Sequence, residues 1–292
     1  MLTADEARRL DRLALSPFRT APSAAASGLR HARTRGVGIE FQDYRHYQPG
    51  DDPRSIDWTV EARLQQLVVR VTRGEGRLRL HLLVDVSGSM SIGTPDKLHA
   101  ARRIAAALCY VAVEHRDAVG IATFTDTILD HHAPAAGRHQ LFRIFATLRA
   151  TAAGGRSSIN HALTAYAGAA RGAGLAVVIS DFFDAAGSIE GLKYVLYRGL
   201  TPAVVQVVAS EELRPHVTED LELVDIENPS APTVIADLGA VAAYQQGVAR
   251  GSAELGEFCS RHGLPWLRVE SSWTFDSHVD ACARAGLIGG LA

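Results

Sequence analysis

The sequence predicts an α/β protein with a doubly wound, mostly parallel sheet and one antiparallel edge strand, and three observations predict it. Beyond Arg77 short apolar runs alternate with longer amphipathic ones, the pattern of a sheet covered by helices on both faces. The runs 118–124 and 127–131 lie too close together for a crossover helix, so they must pair as an antiparallel hairpin. The most apolar run, in "HLLVDVSGSMSIGTPDK" from His81 to Lys97, ends in an acid and alternating hydroxyls at Asp85, Ser87 and Ser89. A buried strand needs no such ending for its own stability.

In chain order, Ala7, Leu10, Leu13 and Ala14 recur at helical spacing within residues 4–15, and a Ser-, Pro- and Gly-rich stretch follows. Residues 1–32 therefore form a helical arm and linker. Residues 33–76 are dense in aromatic and charged side chains, end in the strand-like "LVVRV" and close at Gly74-Glu75-Gly76, which marks a small N-terminal subdomain. Residues 77–292 carry the sheet, with strands expected at 79–85, 118–124, 127–131, 175–180, 203–209 and 266–269. One helical face runs through Leu98, Ala101, Ala105, Leu108 and Ala112, and another through Ile159, Ala162, Leu163, Tyr166, Ala167 and Ala170. Thr94-Pro95-Asp96 reads as a cap with proline in the first helical turn. Residues 221–236 read as a second hairpin and 238–262 as a long helix.

Bulk properties exclude more than they assert. The chain has 292 residues, 47% hydrophobic and 21% charged, with a formal net charge of −2, enough for a well-buried core and without a basic excess that would point to nucleic acid. The three cysteines, Cys109, Cys259 and Cys282, are far apart and form no C-x-x-C pair, so neither a disulfide framework nor a zinc knuckle is expected. No stretch has the uninterrupted apolar length of a signal peptide or membrane span, so the expectation is a cytoplasmic protein without an integral membrane segment. His131-His132 sits in a turn-like stretch with no acid or cysteine at ligand spacing.

Asp85 sits where open α/β sheets bind ligands, at the carboxyl end of a strand. Alternate residues of extended chain point the same way, so Asp85, Ser87 and Ser89 can present three oxygens to one point while Gly88 lets the loop turn tightly. Oxygen donors, some of them neutral hydroxyls, suit a hard divalent cation such as Mg²⁺, with Mn²⁺ or Ca²⁺ as alternatives. Two further segments carry the same chemistry. "AAGGRSSINHAL" sets Ser157 and Ser158 just before a helix, and "LAVVISDFFD" delivers Asp181 from the end of another buried strand.

That order of residues resembles the metal-ion-dependent adhesion site of von Willebrand factor A domains. The resemblance assigns Asp85, Ser87 and Ser89 to its first loop, Ser157 to the place usually held by threonine, and Asp181 to the acid of its third loop. Whether Ser157 or Ser158 is the ligand stays open, with helix spacing favouring Ser157. Upstream, "GIEFQDYRHYQPGDDPRSIDWTVEAR" followed closely by "LVDVSGSM", and later "SDFFD" and "LVDIENP", is similar to the bacterial domain of unknown function 58 family over roughly residues 30–290. The family implies a von Willebrand factor A-like fold and a partner, a MoxR-type AAA+ ATPase, in chaperone-like maturation of other complexes. Within the Pro49 to Trp58 segment, Asp51, Asp52, Arg54 and Asp57 form either a second ionic or partner-binding surface or a rigid turn with Trp58 packed beneath it.

The reading that follows is a non-enzymatic Mg²⁺-dependent protein-binding module, with an Asp or Glu carboxylate of the ATPase or its client completing the metal's coordination. One alternative is a Mg²⁺-dependent phosphotransferase or phosphatase with Asp85 as nucleophile, but the second acid such chemistry wants two residues on is Ser87. Neither G-x-S-x-G nor G-x-x-x-x-G-K-[ST] occurs, so no serine hydrolase or phosphate-binding loop is expected and no catalytic residue is assigned. The other alternative is a scaffold with a vestigial site.

Overall fold

The first buried strand of the sheet shows why the chain folds as it does. Leu80, Leu82 and Val84 turn to one face and His81 and Leu83 to the other, and all five are buried. A strand covered on both faces must be apolar on both or pair its polar groups, and the run is apolar except at His81, whose Nδ1 lies 2.7 Å from the Tyr166 hydroxyl. The computed structural model of the chain describes residues 2–16, 40–47, 56–64, 66–73, 78–214, 221–223, 226–227, 234–236 and 238–290. Its residues divide into two units, Met1–Ser23 with Leu78–Ala292, and Ala24–Arg77.

The elements in chain order are α1 (Ala4–Leu10), β1 (Leu13–Leu15), β2 (Glu40–His46), α2 (Trp58–Leu64), β3 (Val68–Arg73), β4 (Arg79–Asp85), α3 (Lys97–Glu114), β5 (Ala118–Phe124), β6 (Ile128–Ala135), α4 (His139–Ala150), α5 (Ile159–Ala169) and β7 (Gly174–Ser180). They continue with α6 (Ala185–Tyr197), β8 (Leu200–Val208), α7 (Ser210–Leu213), β9 (Leu221–Leu223), β10 (Val234–Ala236), α8 (Leu238–Arg261), β11 (Trp266–Glu270), α9 (Phe275–Arg284) and β12 (Ile288–Gly290). A short 3₁₀ turn, Gly88–Ser91, follows β4.

In the larger unit six strands run in the order β11-β8-β7-β4-β5-β6, all parallel except β6, which pairs antiparallel with β5. This is the predicted doubly wound sheet with one antiparallel edge. From β4 the chain steps to β5 and β6 on one side, then returns to β7 on the other, so the strand order reverses between β4 and β7. One core layer packs Leu82, Val84, Ile121, Val177 and Val205 against Ile104, Leu108, Ile144 and Phe275; the other packs Leu83, Phe124, Val178 and Val204 against Leu163, Tyr166, Leu192 and Phe258. Cys109, Cys259 and Cys282 are buried free thiols, as expected of small apolar residues. A Cβ at Gly120 would meet the His132 carbonyl oxygen at 2.5 Å, so glycine is what lets β6 bulge against β5 there.

Several expectations are corrected. The helix expected across 4–15 ends at Leu10, and Leu13–Leu15 instead pairs antiparallel with Ile288–Gly290. Helix α3 starts two residues later than the proline suggested: Asp96 is its N-cap, accepting the His99 N–H at 2.6 Å, and Pro95 precedes the cap in a cis peptide. His131 and His132 lie on β6, not in a turn; His132 Nε2 contacts Thr147 Oγ1 at 3.0 Å and His131 meets Tyr166 edge to face. The hairpin expected in 221–236 and the helix expected over 238–262 are present as β9–β10 and α8.

The first part of the N-terminal arm, Met1–Ser23, belongs to the larger unit. A capping box between Thr3 and Glu6 starts α1. Leu10 is buried in the first core layer, Tyr110 donates its hydroxyl to Asp11 at 2.7 Å, and Glu6 and Arg9 pair with Arg103 and Asp276. In the smaller unit β2 and β3 pair antiparallel and Asp57 caps α2 by accepting the Thr59 N–H at 3.0 Å. Trp58 is 61% exposed, so it is not packed beneath a turn. The Pro49 to Arg54 stretch and Gly74-Glu75-Gly76 lie outside the described residues.

The docking of the arm gives a direct test. Truncating the buried Leu10 to Ala is expected to cost about 2–5 kcal/mol, read as a lower urea midpoint at unchanged m-value. An unchanged midpoint would mean the arm is not part of the core.

Candidate metal centre

Asp85 ends β4 and Ser180 ends β7, so the two residues stand side by side at the point where strand order reverses. The chain beyond Asp85 is held by its neighbours. Val86 N–H donates to the Phe124 carbonyl at 2.9 Å, Gly154 N–H to the Val86 carbonyl at 2.8 Å, and Gly88 N–H to the Gly155 carbonyl at 2.9 Å. These bonds stitch the loop after β4 to the loop before α5. A Cβ on Gly88 would sit 3.2 Å from the Gly155 carbonyl oxygen, so the two backbones approach as closely as they do because Gly88 has no side chain. Gly155, at φ 80°, makes the turn that brings Ser157 inward.

Within this frame Asp85 is fully buried. Its Oδ1 accepts the Ser87 N–H at 2.9 Å, and its Oδ2 accepts the Ser180 hydroxyl at 2.6 Å and, at the long distance of 3.5 Å, the Ser157 hydroxyl. The Ser87 and Ser89 hydroxyl oxygens are 3.1 Å apart. Asp85, Ser87, Ser89 and Ser157 are thus one hydrogen-bonded group, and it is Ser157, not Ser158, that faces Asp85. Ser158 is the N-cap residue of α5 and its N–H goes to the Thr125 carbonyl.

Every hydrogen-bond partner of Asp85 among the described residues is neutral. Burial, and then the nearby charge of Asp181, push its carboxyl up to about 7, against the smaller opposing pull of the Ser180 and Ser87 hydrogen bonds. A buried carboxylate without a cationic partner is costly, and it either holds a proton or recruits a cation.

Asp181 is placed differently. It is buried just beyond β7, and Phe182, at a left-handed φ of 56°, turns the chain sharply after it, its N–H donated to Ser180 Oγ at 3.2 Å. Asp181 Oδ2 accepts from Lys97 Nζ at 2.8 Å, and the same ammonium donates to Glu212 Oε1 at 2.6 Å. Lys97 has no exposed surface and also lies 4.5 Å from the centre of the Phe183 ring. Glu212 is raised above the ordinary carboxylate range by burial, opposed by Lys97, and its second oxygen accepts the Ala209 N–H at 2.8 Å. Asp181 therefore stands outside the hydrogen-bonded group, felt by Asp85 through its charge, and its own carboxylate is already shared with Lys97.

A further carboxylate comes from far along the chain. Glu227 accepts the Ser157 N–H at 2.9 Å with Oε2 and the Ser89 N–H at 3.4 Å with Oε1. Ser180, Lys97, Glu212 and Glu227 were not identified from sequence. Lys97 had a signal: it lies four residues before Ala101, on the apolar stripe of α3, where a charged residue must find a buried partner. Ser180 stands next to Asp181 at the strand end, whereas Glu212 and Glu227 carry no local pattern that marks them.

The donor set fits a hard cation by its chemistry, two carboxylates and three hydroxyls. Among the described residues no cluster of three or more His, Cys, Asp or Glu side chains has metal-holding geometry, so any cation here depends on the serines.

Removing Lys97 tests this electrostatic frame. Lys97→Met leaves Asp181 and Glu212 buried without their cation, with an expected loss of about 3–5 kcal/mol at pH 7 in urea unfolding. Glu212 binds its proton more tightly folded than unfolded, and more so without Lys97. The variant should therefore regain stability relative to wild type as pH falls from 7 to 5. A loss that is small, or that does not shrink in acid, would contradict the assignment.

With the geometry in place, comparison with known proteins adds the family. A family model described as Protein of unknown function DUF58 matches residues 43–253. Uncharacterized protein Rv1480 of Mycobacterium tuberculosis and Uncharacterized protein Mb1516 of Mycobacterium bovis are each 32% identical to this chain over 196 residues. Those matches cover 65% of this chain and 59% of each relative, less than two thirds of the relatives' own length. Among solved structures, the conserved hypothetical protein BatB from Bacteroides thetaiotaomicron is similar at a TM-score of 0.44 and 16% identity, over 71% of this chain and 96% of that one. The SpRpn10 VWA domain is similar at a TM-score of 0.42 and 11% identity, over 74% of this chain and all of that domain. The family model spans well over half of the sequence, and the chain belongs to the DUF58 family.

Proposed function

We propose that the chain is a non-enzymatic protein-binding module whose contact point is a divalent cation, Mg²⁺ ahead of Mn²⁺ or Ca²⁺, held by Asp85, Ser87, Ser89, Ser157 and Asp181. The observation that carries this reading is the buried Asp85 carboxylate, whose hydrogen-bond partners among the described residues are hydroxyls and a backbone N–H and include no cationic side chain. When bound, the cation supplies a positive centre able to take a carboxylate oxygen from another protein. Asp85 contributes the charge, the serines contribute neutral oxygens, and the stitched loops hold them in register.

Two observations favour binding over catalysis. Lys97, the lysine at the site, is committed to Asp181 and Glu212 instead of being offered to a phosphoryl oxygen. Phe183 and Tyr244, both partly exposed and with ring centres 6.4 Å apart, give the Asp181 side of the site an apolar rim suited to protein contact. The partner in this reading is a MoxR-type AAA+ ATPase or its client, supplying an Asp or Glu; that side rests on the family resemblance. No helix among the described residues is long and apolar enough to cross a membrane.

Calorimetric titration of Mg²⁺ and Mn²⁺ is expected to show one site in the wild type, none in Asp85→Ala and weakened binding in Ser157→Ala. Capture of the ATPase should follow the same order and be lost in EDTA. Equal metal and partner binding by wild type and Asp85→Ala would sink the proposal, and Asp85-dependent turnover of phosphoesters would replace it with the enzyme reading.

The pH dependence has a fixed sign. Because Asp85 titrates higher when folded than the ordinary aspartate value, the contribution it makes in the metal-free protein is complete below about pH 4 and is lost as pH rises toward 7. A cation reverses that loss. The rise in Tm on adding Mg²⁺ should therefore be larger at pH 7.5 than at pH 5, and absent in Asp85→Ala; a rise that is equal at both pH values would count against a site built on Asp85.

A further inference from the structure

The mouth of the proposed site is occupied by the chain itself. Glu227 reaches it with one carboxylate that bridges two separate loops, taking the Ser157 N–H at 2.9 Å and the Ser89 N–H at 3.4 Å. Both residues carry hydroxyls of the donor set. The segment also rests directly on the loop between them: from the place a Gly88 Cβ would fill, the Ile226 carbonyl oxygen is 3.3 Å away and the Glu227 Cγ 3.4 Å. Any side chain at residue 88 would press on this contact. Ile226 is about half exposed while Ser87 and Asp85 are fully buried, so the segment lies on the solvent side of the site and the carboxylate points inward. Two backbone N–H groups converging on one point is an arrangement that binds carboxylates whatever their source.

We propose that Glu227 is the resting occupant of this mouth, an acid from the chain's own 226–227 segment that holds the position a partner's carboxylate would take. This rests on the metal-dependent reading above. Partner binding then becomes an exchange of one carboxylate for another at the same two N–H groups and the same cation. A tethered acid competes at an effective concentration of order millimolar, so only a partner with additional contacts displaces it, and stray carboxylates do not. The fold thereby favours a large, surface-matched acidic partner over free acids.

The test uses the full chain loaded with Mn²⁺, with acetate as the probe carboxylate, comparing wild type, Glu227→Ala and the near-isosteric Glu227→Gln, each shown by thermal melting to be folded. Water-proton relaxation reports the water molecules on the bound Mn²⁺, and the free-ion spin-resonance signal reports its affinity. Glu227→Ala should gain about one metal-bound water and respond to acetate at roughly tenfold lower concentration than wild type, with Glu227→Gln shifted the same way. If Mn²⁺ binds wild type and both variants with equal hydration and equal acetate response, Glu227 is not the occupant although the metal reading stands. If Mn²⁺ fails to bind wild type, the metal reading falls and this inference falls with it.

Discussion

The structure depends on burying one carboxylate at the end of its central strand without giving it a cationic side-chain partner among the described residues. Asp85 is carried inward by the same apolar run that anchors β4, and the residues around it answer with hydroxyls and a backbone N–H. A sheet built only for stability would end that strand in an apolar residue or pair the acid with a lysine, since burying an unpaired charge costs several kcal/mol. Here the lysine exists, Lys97, but it is spent on Asp181 and Glu212. The molecule thus solves the charge problem on one side of the reversal point and leaves it open on the other.

The rest of the site follows from that division. The Lys97 ammonium fixes the third loop by holding Asp181 and Glu212 together across the ends of β7 and β8. The bonds from Gly88 to Gly155 and from Gly154 to Val86 fix the first and second loops to each other. Asp85 then sits between two pre-positioned loops, so a cation would meet oxygens that need little rearrangement. Glu227 adds an acid on the outer side of the same group, bonded to the backbone of two of its loops.

Much of this was legible in the sequence, and the reasons are physical. Strands buried on both faces write themselves as apolar runs, so β4, β5 and β7 were located within a residue of their observed bounds. The short gap before β6 forced the antiparallel edge. Alternation along an extended chain accounts for Asp85 and Ser87, whereas Ser89 lies in the 3₁₀ turn Gly88–Ser91 and it is that turn which brings its hydroxyl to 3.1 Å from that of Ser87. What escaped was non-local or ambiguous. Leu13, Ala14 and Leu15 form a contiguous apolar run that periodicity cannot divide between helix and strand, and only pairing with Ile288–Gly290 decides it. Glu212 meets Lys97 across 115 residues and Glu227 meets Ser89 across 138, contacts created by the winding of the sheet and by no local pattern.

The central claim is that the buried acid and the serines around it hold a cation. Diffraction from crystals grown with Mn²⁺, recorded at the manganese absorption edge, tests it without reference to any partner. The account predicts one anomalous peak beside Asp85, about 2.0–2.6 Å from its ligand oxygens, with Ser87, Ser89 or Ser157 hydroxyls among them. A well-ordered site with no anomalous density, or a peak only at surface acids elsewhere, would contradict it.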